Sequence, residues 1–407
     1  MSPDQTYNRA NLAIRWSFLF MGLPIGTLIP RLAEIKSGVS AANGSYGTAI
    51  AIGGLGAMLG NYLGNQLVHK YGSRFVAQST FVFILISNIS NALAPSVSWL
   101  AVVAFAGGLT YSVTNIAMNT QGIIVEQGIG RSFLPRGHAY WSIGAMTAAV
   151  VSSLAAPLCT PLQALLIMNF FSLIGFLIMS RGLLSTQFDD QPQDDPAQLS
   201  RHEKIPRTAL RFLFIISVGQ WLAVIAEISV GDWSSVLLHE HFNIAIGPNG
   251  YGFATFMIVQ LVTRLRAPKL IDKHGLDTVV RTFGIIGGTG YLLGLALATN
   301  THESNPQLTL IFSCVAYAFI GLGVATMPAA FVVAAGRIPG LPSARALMVT
   351  GVAISLMNVI SRIAFAYISQ IISLPLALTV MGLALFAASK LAYVLHPEKA
   401  QEHAIQR

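Results

Sequence analysis

Apolar residues in this chain run in long blocks separated by short polar turns, without the polar stripe that a helix needs to face water. A helix that crosses the ~30 Å hydrocarbon core of a bilayer takes about 20 apolar residues. Blocks of that size fall near 10–31, 44–68, 75–95, 99–125, 138–158 and 162–180, and again near 208–231, 249–271, 279–299, 308–335, 346–372 and 374–395. The pattern predicts an all-α integral membrane protein with twelve transmembrane helices in two six-helix bundles, residues 1–180 and 208–407, the second ending in a short tail. Between them, 181–207 is the one long polar stretch, with Asp189, Asp190, Asp194, Asp195, Pro192, Pro196, Arg201, Lys204 and Arg207. It cannot bury enough apolar surface to fold alone and reads as a flexible cytoplasmic linker.

The two bundles share a phrase. His69-Lys70-Tyr71-Gly72-Ser73-Arg74 follows the second block, and Asp272-Lys273-His274-Gly275-Leu276-Asp277 follows the eighth, a shift of 203 residues. A short basic turn with a glycine, repeated at half the chain length, predicts two pseudo-symmetric halves, the architecture of a secondary transporter.

Composition and charge then fix topology. Hydrophobic residues are 54% of the chain and charged residues 10%, against about 25% charged in a soluble domain. The net charge of +8 resides in the turns, without the basic face that grips phosphates, so nucleic acid is not an expected partner. With residue 1 inside, one side collects Lys70 and Arg74, Arg131 and Arg136, Arg181 to Arg211, Arg264 to Arg281, Arg337 and Arg345, and Lys399 and Arg407. The other side receives only Arg31 and Lys36. That asymmetry places both termini in the cytoplasm, and the first block, with no small-residue cleavage site, reads as a retained helix. Cys159 and Cys314 show no pairing pattern or metal-ligand spacing.

Ionisable groups inside lipid cost about 2.5–3.5 kcal/mol on insertion scales and therefore face cavities or partners. Glu227, in the seventh block with Gln220 seven residues earlier, is the proton-coupling candidate; the alternative is a structural acid bonded to a neighbouring helix. Asp232 and Trp233 read as an anchor at the outer interface, where tryptophan is favoured. Arg362 shares a face with Asn358 and Ser355. Its guanidinium either holds an anionic group on a substrate or neutralises an acid such as Glu227. In the fourth block Tyr111, Asn115 and Asn119 recur at four-residue steps beside Thr110, Thr114 and Gln121, a stripe that lines a path or joins helices by hydrogen bonds.

These residues resemble the major facilitator superfamily over nearly the whole chain. The superfamily's turn after its second helix reads Gly-x-Leu-x-Asp-Arg-x-Gly-x-Arg, and here Leu67, Lys70, Gly72 and Arg74 fit, while Asn65 and His69 replace the first glycine and the aspartate. The second copy keeps its acid as Asp272, followed by Lys273 and Gly275. The resemblance implies that this acid holds an inside gate by charge contacts with neighbouring helix ends, so His69 makes the first-half latch absent or dependent on pH. It also implies that the fourth-block stripe lines a central cavity. Within the superfamily the chain is similar to the MosC-like branch of bacterial permeases, which is associated with rhizopine, an inositol-derived compound. That similarity rests on Ala117-Met118-Asn119-Thr120-Gln121-Gly122, His138-Ala139-Tyr140-Trp141-Ser142-Ile143-Gly144, Ala226-Glu227, Gly231-Asp232-Trp233-Ser234 and Ala334-Ala335-Gly336-Arg337-Ile338-Pro339-Gly340. The branch's Gly-Pro pair in the eleventh helix is Ser361-Arg362 here.

The glycines Gly53 to Gly60 are followed by Asn61-Tyr62 and not by a Walker Lys-Ser/Thr, and no nucleophile elbow or His-Glu-x-x-His is present. No enzyme activity, cofactor or metal is expected. The expectation is a monomeric transporter of the bacterial inner membrane that moves a small, hydrophilic or anionic solute by alternating access. It is driven by protons or another ion, with a broad efflux pump and a non-transporting receptor as the alternatives.

Overall fold

Capping residues and prolines set where the helices begin. Thr160 accepts from the Gln163 amide while the Gln163 side chain accepts from the Thr160 amide, a full capping box with Pro161 at the first helical position. Asn305 before Pro306 and Ser373 before Leu374-Pro375 cap their helices in the same way. The structure, a computed structural model, describes residues 3–130, 134–189, 205, 207–338 and 341–395. Most of the expected linker (Asp190, Asp194, Asp195, Pro192, Pro196, Arg201, Lys204), Arg131, and the tail residues Lys399 and Arg407 lie outside the described residues.

The first half holds α1 (Pro3–Leu28), the short α2 (Leu32–Gly38), α3 (Asn43–Tyr71), α4 (Ser73–Ala92), α5 (Val97–Ile129), α6 (Leu134–Ala155) and α7 (Pro161–Ser180). The second holds α8 (Arg207–Val236), which runs into a π-helical turn at Leu237–His241, then α9 (Tyr251–His274), α10 (Leu276–Thr301), α11 (Pro306–Val324), α12 (Met327–Ala335), α13 (Ser343–Ile371) and α14 (Leu374–Lys390). With α2 as an appendage of the first crossing and α11 and α12 as one broken crossing, the described residues make twelve crossings. The expected continuous helix over 308–335 is therefore corrected to two pieces. Pro328 has no N–H to return to Val324, so the ladder breaks at Ala325-Thr326.

The repeated phrase is a repeated backbone. Gly72 sits at φ 83°, ψ 146° and Gly275 at φ 85°, ψ 151°, a region that L side chains rarely adopt. Gly72 N–H donates to Val68 and Gly275 N–H to Ile271, each at 2.8 Å, ending α3 and α9 alike.

The two ends of the molecule differ. At the end away from the linker, hereafter the far end, the halves are sewn together. Ser235 Oγ donates to the Ile29 carbonyl at 3.2 Å, Asn249 Nδ2 to that of Pro30 at 3.5 Å, and Gly44 N–H to Gln370 at 2.8 Å. A Cβ added at Gly47 of α3 would fall 2.1 Å from that of Ala366 on α13. Towards the linker end the same two helices part. A Cβ at Gly351 of α13 would meet nothing within 4 Å, and Asn61, Asn65 and Gln66 of α3 are exposed. Polar side chains inside a bilayer face a cavity or a partner rather than lipid, and on that argument these amides border a space between the halves that opens at the linker end.

Candidate functional site

Two carboxylates on α8 anchor the second half's side of that space. Glu227 lies about 30 Å along α8 from its linker end. Its Oε1 accepts from Gln260 Nε2 at 2.8 Å and from Arg264 Nη2 at 3.3 Å, both on α9. The Arg264 Nε donates onward to the Ala325 carbonyl at 3.2 Å, which the break between α11 and α12 has freed. Side chains of Arg264 and Glu227 are 36% and 30% exposed, so this ion pair is only partly covered by protein. Arg264 was counted above among the turn residues; the structure places it ten residues before the end of α9, about 15 Å inside.

Asp232 is held differently. Both of its oxygens take the Arg362 fork, Nε to Oδ2 at 2.8 Å and Nη2 to Oδ1 at 2.7 Å, with side chains only 12% and 20% exposed. Arg362 is neutralised by an acid, one of the two alternatives considered for it, and that acid is Asp232 and not Glu227. Trp233 is not an interface anchor: it is 1% exposed, edge-on to Tyr46 of α3 at 5.4 Å and tilted against Phe365 of α13 at 5.4 Å. It plugs the far end because Gly47 leaves room for the indole.

On α5, Tyr111, Asn115 and Asn119 form one linked ladder, with Asn119 Nδ2 donating to Asn115 Oδ1 at 2.6 Å and Tyr111 beside Asn115 and Trp141. Among the described residues, Asn119 Oδ1 and Asn358 Oδ1 are buried without a hydrogen-bond partner. Their neighbours join helices instead: the hydroxyls of Thr114 and Thr80 meet at 2.7 Å. Fully buried Gln121 donates to Ser73 Oγ at 2.6 Å and to the Leu184 carbonyl at 3.1 Å. Gln220 is half-buried on α8 below Glu227, and next to it Trp221 Nε1 donates to Ser361 Oγ at 3.2 Å.

The gate turns lie at the linker end. His69, Lys70, Asp272 and Lys273 are exposed, and none of them is in an ion pair among the described residues. Arg74 reaches the Leu183 carbonyl at 3.4 Å. Among the described residues, Asp272 makes none of the charge contacts with neighbouring helix ends that the resemblance implies. In the first half an unforeseen acid holds the turn: Asp189 accepts from Ser73 N–H at 2.9 Å and Ser73 Oγ at 2.6 Å, capping α4. The stretch 181–189 is thus folded onto the first half and is not loose tether.

Sequence reasoning also missed the far-end pairing. Lys36 bonds Glu240 across the halves, and Ser37 adds a 3.4 Å contact. Fully buried Arg31 pairs with Glu34 at 2.9 Å and donates to the Cys159 carbonyl. The two cations that broke the charge asymmetry are therefore both neutralised. The signals were thin: Gln260 and Arg264 at four-residue spacing within an apolar block, and Glu34 three residues after Arg31.

No protein-family model matches the chain. It is 27% identical over 282 residues to the uncharacterized transporter y4wD of Sinorhizobium fredii, covering 68% of this chain and 71% of that one. It is 22% identical over 333 residues to an uncharacterized MFS-type transporter of Yersinia pestis, covering 82% of each. Among solved structures, a D-xylose-proton symporter superposes with TM-score 0.68 over 95% of this chain and 97% of that one, at 15% identity, a likeness of fold. Sequence relatives named as transporters and a fold of two six-helix bundles shared with a solved symporter agree with the internal repeat: this chain has the fold of those transporters and is similar in sequence to proteins named as transporters, one of them as MFS-type.

Proposed function

We propose that the chain moves a small hydrophilic solute by alternating access, with protons coupled through Glu227. The observation that carries this reading is the half-open Glu227–Arg264 pair in a space sealed at the far end and open at the linker end. A carboxylate that solvent reaches from one side, balanced by a single arginine and tied to a broken helix, is suited to exchange a proton during the cycle. The positive-inside reading puts the linker end and both termini in the cytoplasm of a bacterial inner membrane, and the burial of Arg31 and Lys36 supports it.

The Arg362 fork already holds a carboxylate, so an anionic solute would have to displace Asp232. A neutral, hydroxyl-bearing solute avoids that competition, and the half-buried stripe of Tyr111, Asn115 and Asn119 offers hydrogen-bonding groups of the kind it needs. One solved protein that shares the fold is a D-xylose-proton symporter. In proteoliposomes Glu227→Gln is expected to abolish pH-driven accumulation while leaving solute exchange across the membrane intact. Unchanged accumulation at normal expression would exclude Glu227 as the coupling group.

A further inference from the structure

Away from the central space, a cavity of about 670 Å³ opens between α10 and α14 at the linker end, lined by Arg281, Ile285, Phe386, Ser389 and Lys390. We propose that it holds a phospholipid with an anionic headgroup, its phosphate between Arg281 and Lys390 and an acyl chain along Ile285 and Phe386. Helical spacing sets up this two-part character. Arg281, Ile285 and Gly288 share one face of α10, and Phe386, Ser389 and Lys390 one face of α14. Gly284 and Gly288 let the two helices approach closely along the floor of the cavity, a Cβ at Gly284 falling 2.0 Å from Ser389 Oγ and one at Gly288 2.8 Å from the Gly382 carbonyl, while the ring of Phe386 and the side chain of Ile285 supply its apolar wall.

Depth and charge match a lipid. Lys390 ends α14 and Arg281 lies five residues into α10, about 7 Å along the helix, both at headgroup level, while Ile285 is 46% exposed towards the chains. Neither cation forms an ion pair among the described residues, and no acid lines the cavity. The only polar neutral group, Ser389 Oγ, already donates to the Leu385 carbonyl at 2.7 Å. Two unbalanced cations over an apolar wall complement a phosphodiester that carries acyl chains, and basic pockets between membrane helices bind such headgroups.

The test is lipid-dependent thermal stability of the purified chain in neutral detergent, titrated with phosphatidylglycerol, phosphatidylcholine or soluble glycerol phosphate. Phosphatidylglycerol is expected to raise the apparent Tm saturably, with little effect of the other two. At about 1 kcal/mol per cation near the surface, Arg281→Gln/Lys390→Gln weakens the apparent affinity by about 30-fold and each single variant by about fivefold. Both side chains are exposed and unpaired, so the lipid-free Tm stays at the wild-type value; if the double variant does not fold, the single variants decide. An equal response of wild type and variants overturns the site. An equal response to phosphatidylcholine overturns the anionic assignment, and an equal response to glycerol phosphate replaces the lipid by a free phosphate.

Discussion

Asp232 lies five residues after Glu227 on α8, and the two carboxylates are held in contrasting ways. Asp232 is nearly enclosed and gives both oxygens to one guanidinium, whereas Glu227 offers one oxygen to an amide and an arginine and keeps contact with the open space. Removing one partner of an enclosed pair strands a buried charge, at about 3–5 kcal/mol, while removing both restores neutrality. Arg362→Ala is therefore expected to lower the detergent-solubilised Tm sharply, and Arg362→Gln/Asp232→Asn to recover much of the loss. If the double variant is as unstable as the single, the pair is not a closed electrostatic unit. The sequence made all three candidate groups on these helices visible, because a charge inside an apolar block is conspicuous. It did not reveal who pairs with whom. Partners of Glu227 come from 33 and 37 residues away and that of Asp232 from 130, and only packing sets such distances. Arg264 was missed for a related reason: it lies near the basic end of α9, where Arg266 and Lys269 follow, and block edges are blurred by such runs.

At the scale of elements, hydropathy alone finds nine sufficiently long and apolar helices among the described residues and omits α3, α6 and α9. These are the elements that work hardest at the boundary between halves. α3 and α9 carry polar residues towards the open space, and α3 replaces bulk by glycine where α5 and α13 press on it. They were legible as long blocks of mostly apolar residues, and α3 and α9 also by the repeated turn that follows each. The break between α11 and α12 was not read, although Pro328 marks it, because an apolar run conceals a helix break whose freed carbonyl finds its donor on another helix. Tight packing gives a direct test. A Cβ at Gly56 would stand 2.0 Å from the Phe105 carbonyl of α5, a rigid backbone neighbour that cannot yield as a side chain would. Gly56→Val is expected to eliminate folded protein, seen as loss of the monodisperse peak in size-exclusion chromatography. Normal yield would mean that α3 and α5 are not locked together within the first half.

For the molecule as a whole, the seam between halves is asymmetric, and that asymmetry predicts what the other conformation requires. Among the described residues, five hydrogen bonds cross at the far end: two to Glu240, from Lys36 and Ser37, and three more from Gly44, Ser235 and Asn249. Opening that end breaks them, so the linker end must supply compensating contacts as it closes. A Cβ added at Gly351 on α13 would meet nothing within 4 Å, while at Gly44 and Gly47 at the far end it would fall in tight contact across the same pair of helices. If the halves rock about the middle, Gly351 becomes a point of close approach to α3. Gly351→Leu should then fold as well as or slightly better than wild type, since an exposed helical glycine costs about 1 kcal/mol relative to good helix formers. Its solute flux should nonetheless fall, because the linker end can no longer shut. A cysteine placed at Asn65 would stay reactive to a soluble thiol reagent in that variant, under conditions where solute protects it in the Gly351 parent. Normal flux with unchanged protection would show that the two helices do not meet at Gly351, and that closure at the linker end runs through α6 and α9 instead.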